Sequence, residues 1–362
     1  MKPCKIMTLV LLLMLCGCSA SQQSEAVSSA DGAQATSMHL ERLEGSVNVS
    51  DGEKDIEAFA GMGLYSGYGI GTEKESYDWI MLDEVKLLKM DQSSKTSITN
   101  EGKKIKISLE EGSLFFCISD PLEEGEQLTF ETQNVSLSIW GTCGIIRHYA
   151  GTSYIVMLEG EAEAKCLNNV SNSFDLKEGD VLIVPLLGYK EEEITHGDLP
   201  DFVREEILNS DMVKEKMQDS QIDHNSYMND EEVLEYAQKF AGKYICLKSY
   251  YSKGDIPGVD FIVDEPYVIE IAFDENGHLL ASAKESNEAY ESVEDFNRQA
   301  QEAGISFRMP HVDMDMVFPV IRISEDNGLL LNGFVSGKLY LVEDGAYLSD
   351  YPNYFAAYKK ID

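Results

Sequence analysis

The feature that most limits the fold of this chain is a two-residue alternation of apolar and polar side chains, carried in short runs and broken at glycines. A period of two puts successive side chains on opposite faces of an extended strand, and it does not suit a helix. From residue 38 to about 187 the runs recur with few helix signals between them. Residues 43–49 read as the first strand. Residues 154–164 read as the clearest one, with Glu161, Glu163 and Lys165 on one face. The breaks fall at Gly45, Gly63, Gly67, Gly112, Gly141, Gly160 and Gly179, a spacing typical of all-β sandwiches and rolls. The first globular domain is therefore expected over 38–190 as an all-β sandwich or β-helical roll.

After Pro185 the period changes. Phe202, Val203, Ile207, Leu208, Met212, Val213 and Met217 approximate a helical stripe. The run from Asn229 to Glu232 has the form of a capping box that opens a second stripe through Val233, Ala237 and Phe240. A helical connector is expected over 198–241, packed on one or both β domains. Alternation then returns from Gly242. Asp274–Gly277, Asp326–Gly328 and Glu343–Gly345 each place turn residues between apolar runs, and Ser292 opens one helix. The C-terminal domain, 242–362, is expected to be an antiparallel meander or barrel with one helix.

The first 37 residues read as export and anchoring. Ile6 to Leu15 is an apolar run behind a basic start, too short to span a bilayer as a helix. Leu15-Cys16-Gly17-Cys18 resembles a lipobox, with Cys18 as the acylated first mature residue; Leu15 is too bulky to precede a modified Cys16. Residues 1–17 are then the signal peptide and 18–37 a small, polar tether that cannot bury enough surface to order itself. The expected location is the extracytoplasmic face of the cell membrane, held by the lipid anchor.

Asp plus Glu number 64 against 29 Lys plus Arg, a net charge of −35. Such a field repels phosphate backbones, which excludes nucleic acid as a partner. Beyond the anchor stand Cys117, Cys143, Cys166 and Cys246, with no Cys-x-x-Cys pair to suggest zinc or redox chemistry. Parity places Cys143 with Val135, Leu137 and Ile139, Cys166 with Ala162 and Ala164, and Cys117 with Phe115. Buried free thiols are the favoured reading, although export permits a disulfide whose pairing the sequence does not give.

The ordered glycine and turn motifs resemble the FecR-domain family. Its opening Gly-x-Val-x-Val is similar to Gly45 through Val49. Its Gly-Asp and Ile-x-Thr segment resembles Gly67-Tyr68 through Ile70-Gly71-Thr72, followed by Ser76. Leu109 through Leu114, Thr132-Gln133, Trp140-Gly141-Thr142, Met157 through Ala164 and Leu176 through Val184 continue the order. The chain departs from the family at Tyr68, where aspartate is usual, at Gln133 for proline, and at Trp140 for arginine. The resemblance implies a β-rich extracytoplasmic module for protein or ligand contact. The family's relay to a sigma factor needs a spanning helix and a cytoplasmic segment, for which this sequence gives no sign. The C-terminal part is only loosely similar to lipocalin-like domains.

No nucleophile elbow, zinc-protease helix or phosphate-binding loop occurs, so no catalytic residue and no cofactor is assigned. His311, Asp313 and Asp315 alternate as acid and imidazole, ligand types that a cation accepts, although a solvated strand edge carries the same pattern. Trp140 shares parity with Ser136 and Ser138. It is either an exposed contact residue, with Tyr68 a second candidate, or a plug beneath the connector. Two functions remain open. One is a non-enzymatic binding or sensing protein that recruits an envelope protein, polymer or small ligand. The other is an envelope hydrolase built from dispersed carboxylates.

Overall fold

The computed structural model describes residues 37–168, 172–186, 188–251, 266–286, 293–302, 313–332, 336–350 and 354–361. The expected signal peptide, most of the tether, Cys18 and His311 lie outside these residues. Among them the protein is mainly β.

The first half is two sheets that share one long strand. The front sheet runs in the order β1 (His39–Glu44), β5 (Tyr77–Asp83), β6 (Lys86–Met90), β8 (Lys104–Ile118), β11 (Cys143–Tyr149), β12 (Thr152–Glu159), β15 (Asp180–Val184) and β16 (Lys190–Glu193). The back sheet runs β3 (Asp55–Glu57), β2 (Val47–Ser50), β4 (Gly69–Thr72), β7 (Lys95–Glu101), β8, β9 (Gln127–Glu131), β10 (Val135–Ile139), β13 (Glu161–Cys166) and β14 (Ser173–Lys177). All pairings are antiparallel except that of β8 with β9. β8 belongs to the back sheet up to Glu111 and to the front sheet from Gly112. Gly112 makes this possible: its φ is +98°, and a Cβ there would lie 2.5 Å from the Ser94 Cα.

Leu88, Leu114, Phe116, Ile146 and Met157 from the front meet Ile107, Phe130, Leu137 and Ala164 from the back in one core. Phe116 and Phe130 stack across it with centroids 4.6 Å apart. The expected sandwich is present, with one correction to its strands. The alternation over 43–49 and over 154–164 continues through Gly45 and Gly160, but the strands do not. At both glycines φ is positive and the chain crosses from the front sheet to the back one.

The other face of the front sheet carries a second apolar layer, including Trp79, Phe115, Ile145, Tyr154 and Ile183. The connector covers it. Helices α1 (Asp201–Asn209) and α2 (Asp211–Lys216) supply Phe202, Val203, Ile207 and Val213. α3 (Asp230–Gln238) starts with the expected capping box, Asn229 with Glu232, and turns Val233 and Ala237 the other way, into the C-terminal core.

That core fills a nearly closed antiparallel sheet in the order β20 (Met314–Phe318), β19 (Leu279–Glu285), β18 (Tyr267–Phe273), β17 (Gly242–Tyr251), β24 (Tyr354–Lys360), β23 (Gly345–Asp350), β22 (Ser336–Val342) and β21 (Leu329–Asn332). α4 (Val293–Glu302) stands between β19 and β20 in the chain. The three expected turns are in place, for two different reasons. Gly277 and Asn327 adopt positive φ. Gly345 does not; it is needed because a Cβ would sit 2.1 Å from the Tyr358 carbonyl oxygen.

The cysteine reading is corrected at two of four positions. Cys117 and Cys143 face each other across β8 and β11 and form a disulfide. Cys143 also lies in the layer beneath the helices and not with Val135, Leu137 and Ile139, because the chain changes sheet at Gly141 and parity does not survive that break. Cys166 is a buried free thiol, as expected, and Cys246 is buried in the C-terminal core.

Candidate functional site

A cleft of about 530 Å³ opens where the bend of β8, the start of the connector, α3 and the β18–β19 turn meet. That is the size of an ordinary small-molecule site. Its walls are unusually polar: Lys74, Asp91, Glu111, Arg147, Asp230 and Glu275 all line it, with Tyr149 and His278. The β11 alternation that sends Ile146 into the sandwich core sends Arg147 to the opposite side, toward the connector.

Arg147 is 8 % exposed. Its Nη1 donates to the Gly197 carbonyl at 3.3 Å, while Nε and Nη2 have no hydrogen-bond partner. Burial pulls its pKa down, and the fields of Asp198, Asp230 and Asp91 oppose that. Burial pushes Asp91 up to about 6, against the Gln92 N–H that donates to it at 2.8 Å. Asp230 is raised for the same reason. Its Oδ2 accepts the Asp201 N–H at 3.0 Å while Asp201 accepts the Asp230 N–H at 3.4 Å, so the N-termini of α1 and α3 cap each other. On the barrel side, Asp274 accepts from His278 at 2.9 Å, and the His278 ring lies 4.2 Å from that of Tyr149.

Three further polar clusters are buried but belong to the scaffold. Arg322, 1 % exposed, holds Asp198 through Nε and Nη2 at 2.8 Å each and also meets Glu192. Lys89 donates to the Phe202 carbonyl at 2.7 Å, and Trp79 Nε1 donates to Glu206 at 2.7 Å, which pins α1 to the front sheet. In the third cluster, His148 Nδ1 lies 2.9 Å from Ser153 Oγ, with Thr132 and Asn134 completing the network. Ser153 is fully buried, and Asn134 Nδ2 donates to the Gly151 carbonyl at 2.9 Å. This serine–histidine contact therefore ties the β9–β10 turn to the β11–β12 hairpin and is not open to a substrate.

The residues singled out from the sequence do not converge on the cleft. Trp140 is 53 % exposed, in the bend after β10 and not on the strand itself. Tyr68 is half-buried, edge-on to Tyr65 at 5.5 Å. Asp313 accepts the Glu285 N–H at 2.7 Å and Asp315 pairs with Lys284 at 2.9 Å, contacts that hold β20 along β19. Among the described residues no cluster of His, Cys, Asp and Glu is placed to hold a metal ion, and no helix is long and apolar enough to cross a membrane. Reading the sequence missed Arg147, Asp91 and Asp230. Arg147 had a signal, a full charge inside the apolar run Ile145-Ile146-Arg147; the two acids had none in so acidic a chain.

The fold and cleft define a mainly β protein, a two-sheet sandwich joined through helices to a barrel-like sheet. No family model matches the chain, and no curated protein matches it by sequence. Two crystal structures of a protein described as a candidate anti-sigma factor, from Parabacteroides distasonis ATCC 8503, are similar to it. Each has 12 % identity and a TM-score of 0.31 over 34 % of this chain, which spans 59 % of the length of the other.

Proposed function

We propose that this protein is a non-enzymatic binding and sensing lipoprotein, anchored through Cys18 at the extracytoplasmic face of the membrane, that takes a small ligand into the cleft beside its FecR-like sandwich. One observation carries the reading: a buried guanidinium with two unpaired nitrogens lines a polar cleft walled by sandwich, connector and barrel. Buried polar groups are nearly always satisfied, so a pair of unsatisfied donors beside a cavity is where a ligand fits. A ligand bridging three parts of the chain would also couple its binding to their arrangement, which is what a sensor needs. The FecR resemblance is supported by the meeting of two of its motif pieces: the Ser46 N–H donates to Ser76 Oγ at 2.9 Å, and Gly45 leaves room for that serine.

The competing reading, an envelope hydrolase, draws on Asp91 and Asp230, two carboxyls of raised pKa in one cleft. Fractionated small molecules from cell envelopes decide between the two. Binding is expected to raise the melting temperature of the wild type and to return the ligand unchanged. Recovery of a cleaved product, abolished by Asp91→Asn, would replace binding with hydrolysis. The anchor is tested separately: Cys18→Ala should lose lipid labelling and leave the membrane fraction, and its retention there would overturn the assignment.

A further inference from the structure

Two buried arginines of this protein present the same edge, one filled and one empty. In Arg322 the Nε–Nη2 edge is closed by the carboxylate of Asp198, with contacts of 2.8 and 3.0 Å from Nε and 2.8 Å from Nη2. This is the side-on bidentate geometry that a guanidinium forms with a planar carboxylate. In Arg147 the same two nitrogens have no partner. Among the described residues no carboxylate is within ion-pair distance of Arg147, although it lines a cleft rich in acids. The nearest acids in electrostatic terms are already engaged: Asp198 by Arg322, and Asp230 by the N-terminus of α1.

The charge of the walls narrows what could close that edge. Asp91, Glu111, Asp230 and Glu275 outnumber Lys74 and Arg147 in the lining. The chain as a whole carries −35. A simple anion drawn to Arg147 would be repelled by the acids that outnumber the cations around it. A ligand with a carboxylate at one end and a cation at the other meets the arginine and uses the acids. Resting on the binding reading above, we infer that the cleft takes a small zwitterion, an amino acid or short peptide. Its carboxylate closes on the Nε–Nη2 edge of Arg147, and its ammonium group sits against the carboxylates of the opposite wall. The Tyr149 and His278 rings give such a ligand an aromatic surface to lie on.

The full-length protein in detergent is titrated calorimetrically with alanyl-alanine, its C-terminal amide, its N-acetyl form and inorganic phosphate. The free dipeptide should bind, and each capped form should bind about tenfold or more weakly, since each loses one charge-assisted contact. Arg147→Lys keeps the charge but not the planar edge, so it should lose about tenfold or more for the free dipeptide and little for the amide. Should that buried substitution fail to fold, Glu275→Gln on the exposed turn gives a second arm: weaker binding of the free dipeptide with the N-acetyl form unaffected. Equal binding of dipeptide and amide, binding of phosphate alone, or indifference to both substitutions would overturn the inference. If no probe binds, but envelope small molecules still raise the melting temperature of wild type and not of Arg147→Lys, the ligand class is wrong and the binding reading stands. If the envelope fraction is silent too, both fall.

Discussion

Asp78 places a carboxyl inside the sandwich, fully buried, with no hydrogen-bond partner of good geometry on either oxygen. Burial pushes its pKa up to about 7, against the nearby Trp79 N–H, which favours the charged form. The folded protein therefore keeps a proton that the unfolded chain releases near the ordinary aspartate value of 3.8. Below that value both states are protonated and the group costs nothing. Between about 4 and about 7 the unfolded state gains by ionising, and folding stability falls by up to about 4 kcal/mol, at about 1.4 kcal/mol per pH unit. Asp78→Asn should abolish that slope. Urea midpoints at pH 4.5 and pH 8 should be closer together in the variant, with the variant the more stable of the two proteins at pH 8. An unchanged difference between the two midpoints would mean that Asp78 is charged in the folded state and solvated by some route. Nothing in the sequence warns of this group, because Asp78 stands among the aspartates of an acidic chain and only three-dimensional packing shows that it is buried.

At the scale of elements, periodicity carried most of the fold, and the glycine corners are where it misled. Alternation through Gly160 is unbroken in the sequence, yet with φ at +82° the residues before and after it face one core from different sheets. The helices were legible from stripe and cap, but their docking was not. α1 is fixed by Lys89, which lies in a strand, Lys86–Met90, that is buried along its whole length. Lys89 donates to the Phe202 carbonyl, sits 3.4 Å from Glu206 and lies 4.6 Å from the Trp79 ring. Removing one member of a buried pair leaves the other charge without its countercharge, which costs about 3–5 kcal/mol. Lys89→Met should destabilise by about that much, and adding Glu206→Leu should recover most of the loss. A double variant as unstable as the sum of the singles would show that the two side chains act independently.

At the scale of the whole molecule, the sandwich and the barrel are joined by more than the connector. Residues just before α1 pair with residues just after β20: the Ile323 N–H donates to the His196 carbonyl at 3.0 Å, and Gly197 admits the Ile321 carbonyl where a Cβ would collide at 1.8 Å. Arg322, on the barrel side, reaches Asp198 and Glu192 on the sandwich side. Val320 is buried in the layer beneath the helices. None of this was legible in the sequence, since the partners lie more than a hundred residues apart and each looks like an ordinary surface charge. A buried ion pair contributes little over an apolar contact, but losing one partner is expensive, so it acts as a constraint on arrangement. Both tryptophans, Trp79 and Trp140, lie in the first half, so their fluorescence follows the sandwich. Cys246 is buried in the barrel core, so its alkylation, read by peptide mapping, follows the barrel. In the wild type the two signals should change at the same denaturant concentration. Arg322→Ala should lower the stability by about 3–5 kcal/mol and separate them, with the barrel opening first because it loses its anchor to the sandwich. Coincident transitions in both proteins would place the coupling in the apolar contacts of Val320. Separate transitions already present in the wild type would mean that the ion pair positions the two halves without joining their stability.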